Sequence, residues 1–153
     1  MGLLRGGAGG VRRELATVED TRALGRELAA RLRPGDLVVL SGPLGAGKTA
    51  LTQGIGQGLG VTGRVTSPTF VIVRVHGGRV PLVHVDAYRL RDSGRLDLDD
   101  LDLDADLATS VVVVEWGEGV VEALSDSRLE VVLERHADDR RTATVTGVGA
   151  RWR

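Results

Sequence analysis

The stretch GPLGAGKT, Gly42 to Thr49, holds the only lysine of the chain, Lys48; the other basic residues are nineteen arginines. Its pattern, G-x-x-x-x-G-K-[ST], is that of a phosphate-binding loop. Gly45 and Gly47 let the backbone curl so that N–H groups point inward at phosphate oxygens. A helix starting at Lys48 would turn its positive end to the same point. Lys48 supplies a compact ammonium to the β- and γ-phosphates, in a hole that a planar guanidinium does not fit. Thr49 offers a hydroxyl to magnesium. Arginine replaces lysine cheaply on an open surface but not inside such a cradle. The competing reading, a glycine-rich surface turn, leaves the singleness of Lys48 unexplained. The candidate phosphate contacts are Gly42, Pro43, Leu44, Gly45, Ala46, Gly47, Lys48, Thr49 and Ala50.

A phosphate loop needs a carboxylate near its metal, usually at the end of a neighbouring strand. Asp86 ends PLVHVD and Glu115 ends SVVVVE. If both strands run parallel to the one before the loop, both acids reach the phosphate edge. Read singly, either acid is also an ordinary strand end. His84 shares a sheet face with Asp86; it either orients the Asp86 carboxylate or the attacking water, or is a packed strand histidine. In VTSPTF, Ser67 and Thr69 are candidates for a metal or γ-phosphate contact of the switch type; an ordinary loop is the alternative. Phe70, Tyr88 and Trp116 lie beside these segments and could stack on a base or belong to the core. With one lysine, already used, no Asn/Thr-Lys-x-Asp guanine-reading segment exists, which favours ATP.

These groups must be positioned by the elements around them. TVEDTRALGRELAARLRPGD predicts a helix, capped by Thr17 with Asp20 completing a capping box, and with Leu24, Leu28 and Leu32 on one face. DLVVLS predicts a buried strand. KTALTQGIGQGLG predicts a helix whose glycines Gly54, Gly56 and Gly58 suit a close neighbour. TFVIVRV and RVPLVHVD predict a hairpin turning at Gly77 and Gly78. SVVVVEW is a further buried strand, and RLEVVLERH, ADDR and RTATVTGV make a closing hairpin. The sum is an α/β fold: a P-loop NTPase-like mixed β-sheet with flanking helices, in one domain over residues 11–150. Residues 1–10, MGLLRGGAGG, read as a disordered glycine-rich tail or a misplaced start.

At 153 residues the chain is the size of one domain. A net charge of −1 gives no overall basic field for wrapping nucleic acid. The absence of cysteine excludes disulfides, thiolate metal sites and thiol nucleophiles, and fits a cytoplasmic location. No apolar run is long enough to span a bilayer. LDLDDLDLDAD places six aspartates between Asp97 and Asp106. It is not an EF-hand, because counting from Asp97 the sixth position is Asp102 and the twelfth Ala108. A solvated acidic segment anchored by its leucines is the simpler reading; a docking surface for a basic partner is the other.

GPLGAGKT, VTSPTF, HVDAYRL and VVEWGEG occur in the order and approximate spacing of the TsaE (YjeE) ATPases, over roughly residues 17 to 135, and the chain resembles that family. The resemblance implies a small Mg2+-dependent ATPase needed for threonylcarbamoyladenosine on tRNA, working with a TsaD–TsaB complex. It implies phosphate binding by Gly45, Gly47 and Lys48, and magnesium on Thr49 with help from Glu115. Asp86 becomes the Walker-B-like acid, also toward the metal, Ser67 and Thr69 the switch, and Trp116 a residue beside the nucleotide. Lys48, Asp86 and Glu115 are then the catalytic set, and the segment Leu15 to Asp20 a contributor to the adenine pocket. Pro43 stands where many relatives carry Asp, at a variable position of the loop. A subunit that docks on proteins needs little basic surface, so weak tRNA binding by the isolated chain is expected; a tight, salt-sensitive complex in a filter assay would contradict it.

Two other functions share the loop. A small-molecule kinase would need a lid, for which Arg89, Arg91 and Arg95 are available. A nucleotide-gated scaffold would bind without much hydrolysis.

Overall fold

The computed structural model describes residues 10–43, 46–61, 73–86, 108–115 and 126–152. The apolar runs of the sequence become strands, and the 3.6-period runs become helices. In chain order these are β1 (Val11–Leu15), α1 (Val18–Ala29), β2 (Leu37–Ser41), α2 (Lys48–Gly58), β3 (Val73–His76), β4 (Leu82–Asp86), β5 (Val111–Glu115), β6 (Arg128–Arg135) and β7 (Arg141–Val148). A single turn of 3-10 helix, Ala150–Trp152, follows.

The strands form one seven-stranded sheet in the order β1-β7-β6-β2-β5-β4-β3. β2 is parallel to both β5 and β6, and β5 is parallel to β4. β3, β7 and β1 pair antiparallel at the two flanks. The sheet is mixed, as the sequence predicts. β2 and β5 are apolar almost without interruption and buried on both faces, which a central parallel strand requires. β6 alternates, with Leu129, Val131 and Leu133 inward.

Both helices pack on one face. Leu24 and Leu28 of α1 and Leu51 and Ile55 of α2 share a core with Val38, Leu40, Leu82, Val111 and Val113. The two helices approach closely because glycines face each other. A Cβ on Gly54 would stand 2.1 Å from the carbonyl oxygen of Arg22, and one on Gly25 would stand 2.4 Å from that of Leu51. Outside this seam Arg22 and Arg26 hydrogen-bond Gln53 and Gln57 at 3.1 and 2.7 Å.

The predicted capping box is present. Thr17 Oγ1 accepts from Asp20 N, and Asp20 Oδ2 accepts from Thr17 N, both at 3.1 Å. The helix is shorter than its leucine spacing suggests: it ends at Ala29, and Leu32 is buried from the turn that follows, where Leu32 N donates to Ala29 O. The hairpin at Gly77 and Gly78 is present as β3 and β4, with His76 opposite Leu82. Its turn rests on the end of α2, with Val80 N donating to Leu59 O.

β1 was not anticipated. VRREL carries three consecutive charges, Arg12, Arg13 and Glu14, and only its distant partner β7 makes it a strand; charges on an edge strand also discourage pairing with another chain. After β7 the chain returns to the start of β2. Arg151 clasps the buried Asp36 at 3.0 and 3.1 Å and lies 4.1 Å over the Trp152 ring. Among the described residues no helix is long and apolar enough to cross a membrane.

Candidate functional site

The phosphate loop joins β2 to α2, the strand-to-helix context that the motif requires. Ala46 N donates to Pro43 O at 3.1 Å, so the loop turns on itself; Leu44 and Gly45, between them, lie outside the described residues. Gly47 caps α2 at φ 106, a left-handed conformation that glycine adopts without strain. Among the described residues no side chain caps α2, in contrast to the Thr17–Asp20 box on α1. The N-terminus of a helix, with its first-turn N–H groups and positive dipole end, suits an anion.

Lys48 opens α2 and is buried, 6% exposed. Its Nζ donates to Gly42 O at 2.7 Å, so the ammonium reaches back across the loop to the end of β2. Thr49 and Ala50 follow in the first turn, half-buried. Two neighbours had no signal in the sequence. A Cβ on Gly47 would lie 3.5 Å from Thr21 Cγ2 and 3.9 Å from Arg141 Cδ. Thr21 reads as an ordinary helix residue and Arg141 as one arginine among nineteen; only the fold brings the starts of α1 and β7 to the loop.

The parallel registers bring the two acids to the same edge. Glu115 is the partner of Leu40 on β2, and Asp86 is the partner of Glu115. Strands lie about 4.8 Å apart, so the backbone of Glu115 is one spacing from β2 and that of Asp86 is two. Glu115 is 5% exposed. The side chain of Asp86 lies outside the described set. His84, fully buried, reaches Glu115, with Nε2 2.5 Å from Glu115 Oε2. Ser67, Thr69, Phe70, Tyr88, Trp116, the arginines Arg89, Arg91 and Arg95, and the aspartates from Asp97 to Asp106 all lie outside the described residues.

A strand, a glycine-rich turn, an uncapped helix headed by a buried lysine, and acids on the adjoining parallel strands make this a P-loop NTPase-like fold. It superposes on the crystal structure of Bacillus subtilis YdiB with a TM-score of 0.77 and 37% identity, covering 93% of this chain and 88% of that one. A curated relative from Streptomyces coelicolor, named tRNA threonylcarbamoyladenosine biosynthesis protein TsaE, is 63% identical over 139 residues, 86% of this chain and 93% of the relative. A relative of the same name from Bacillus subtilis is 43% identical over 136 residues, 88% and 84% of the two chains. The family profile described as threonylcarbamoyl adenosine biosynthesis protein TsaE matches residues 15–143. The chain belongs to the TsaE family.

Proposed function

We propose that the chain is the ATP-binding and ATP-hydrolysing subunit of tRNA threonylcarbamoyladenosine synthesis, acting with a TsaD–TsaB complex. The names of its relatives support the pathway. The observation that carries the nucleotide chemistry is Lys48, buried at the head of an uncapped helix with its Nζ across the loop.

The residues present fit ATP with magnesium. Lys48 and the first-turn N–H groups of α2 suit the β- and γ-phosphates. Among the described residues no three acids or histidines converge on a metal; magnesium typically keeps several waters and takes one or two carboxylates plus substrate phosphates, so Thr49, Glu115 and Asp86 suffice. When bound, the ion would neutralise phosphate charge and polarise the γ-phosphoryl group. Lys48 would stabilise the charge that grows on the phosphoryl oxygens as water attacks in line and the ADP oxygen leaves. Glu115, one strand from the loop, would support the metal more closely than Asp86. Arg141 lies beside Gly47, on the side of β2 opposite β5 and Glu115.

A supplied arginine is worth roughly 10³–10⁵ in rate among GTPases, and no such finger is evident among the described residues. Hydrolysis by the isolated chain should therefore be slow and should rise about tenfold or more when TsaD–TsaB is added. Phosphate release by the purified chain, alone and with the complex, tests this, with Lys48→Ala as control. Turnover that ignores the complex and appears only with an added phosphate acceptor would replace this reading with a small-molecule kinase.

A further inference from the structure

β4 is Leu82, Val83, His84, Val85 and Asp86, and β5 beside it is four valines and Glu115. His84 continues the row of Leu82 on the helix-bearing face, where its register partner is Val113. An aliphatic side chain would fill that place. A buried imidazole is tolerated only where hydrogen bonds replace water. Here one nitrogen is served: Nε2 lies 2.5 Å from Glu115 Oε2, while the buried Nδ1 has no hydrogen-bond partner among the described residues. A histidine kept for core packing alone would gain nothing from this arrangement. The contact with Glu115 accounts for it.

The direction of that contact is informative. His84 does not meet the residue opposite it but reaches two positions along β5, toward the loop end of the sheet. It ties one oxygen of a carboxylate that is nearly buried itself. The other oxygen, Oε1, makes no hydrogen bond among the described residues. With Glu115 ionised, Nε2 is the donor, and a short charge-assisted bond of this kind fixes the carboxylate plane.

We propose that His84 is a positioning residue for Glu115: it holds Oε2 from within the core so that Oε1 is presented, in one orientation, to the metal or its water. The proposal rests on the reading of Glu115 as a metal-supporting acid. It follows a general pattern in which partners of metal ligands set ligand orientation and cost about 10–100-fold in metal affinity or activity when removed.

The test uses the full chain, His84→Leu, His84→Gln and Glu115→Ala. Affinity for a fluorescent ADP analogue is measured in EDTA and across a magnesium titration, beside the melting temperature. In His84→Leu the magnesium required for half-maximal effect should rise about 10-fold or more, with the metal-free affinity unchanged. Glutamine, whose amide nitrogen can stand near the Nε2 position, should restore most of the loss. A wild-type magnesium response in His84→Leu, while Glu115→Ala loses it, overturns the role of His84 and leaves that of Glu115. A normal response in Glu115→Ala overturns the metal reading of Glu115 and this proposal with it. Equal losses with and without magnesium, not rescued by glutamine, mean a structural histidine and also overturn it. If His84→Leu does not fold, the imidazole 15N resonances of the wild type decide: the Nε2 signal should move when magnesium is added to the ADP-bound protein, and an unmoved signal overturns the proposal.

Discussion

Lys48→Ala is expected to weaken nucleotide binding on the order of 100-fold or more, while the protein stays folded. The ammonium is buried and already aimed across the loop by its bond to Gly42 O. Phosphate oxygens held there would lose a desolvated positive charge that no neighbouring lysine can replace, since the chain has no other. Stability should change little. The charge-assisted bond to Gly42 O, worth about 1.5–3 kcal/mol, is offset by no longer burying an ammonium and by alanine being the better helix former at the head of α2. Lys48→Arg should fail as well, because the wider guanidinium must enter a slot sized for an ammonium. Titration calorimetry with ATP and ADP measures both variants. Retained affinity in Lys48→Ala would remove the phosphate-cradle assignment and, with it, the hydrolysis mechanism.

Gly54→Ala should lower the melting temperature by roughly 6–12 °C. The sign is the informative part. In an isolated helix this change stabilises by about 1 kcal/mol. Here the added methyl would stand 2.1 Å from the Arg22 carbonyl oxygen, a backbone atom that no rotamer change can move. Overpacking of that kind costs about 1–3 kcal/mol, and the upper end applies where backbone meets backbone. About 2–4 °C per kcal/mol in a chain of this size gives the range. Nucleotide affinity should fall too, since a shift of α2 away from α1 carries Lys48 and Gly47 with it. Differential scanning calorimetry settles the sign, and a raised melting temperature would mean that the helices do not meet at this glycine.

The phosphate loop was legible because its information is local. The glycines, the lysine and the strand-to-helix context all fall within a short window, and the structure supplies that context. Thr17 and Asp20 were legible for the same reason. The acids Asp86 and Glu115 could be named because each ends an apolar strand, and the parallel registers align them. What escaped the sequence depends on distant pairing. β1 is a strand only because β7 lies beside it. Arg141 meets Gly47 only because β7 begins next to the loop. His84 reads as orienting the Asp86 carboxylate or a water, or as a packed strand residue, but its reach along β5 to Glu115 depends on a register that neither strand encodes alone. The glycines of α2 suggested a close neighbour, whereas the matching Gly25 on α1 gave no separate sign.

The sheet order has a consequence for the timing of assembly during synthesis. β2, which feeds the phosphate loop, is clamped between β5 and β6, and β6 pairs in turn with β7. Residues made earlier are thus completed by residues made later, and Arg151, which follows β7, closes the start of β2. Long-range pairings of this sort form slowly, because the chain entropy of closure is spent before contacts reward it. Until β5 and β6 have been made, the lysine and its loop lack the two strands that flank β2. Competence to hold a nucleotide therefore depends on β5, β6 and β7, all of which follow the loop in the chain.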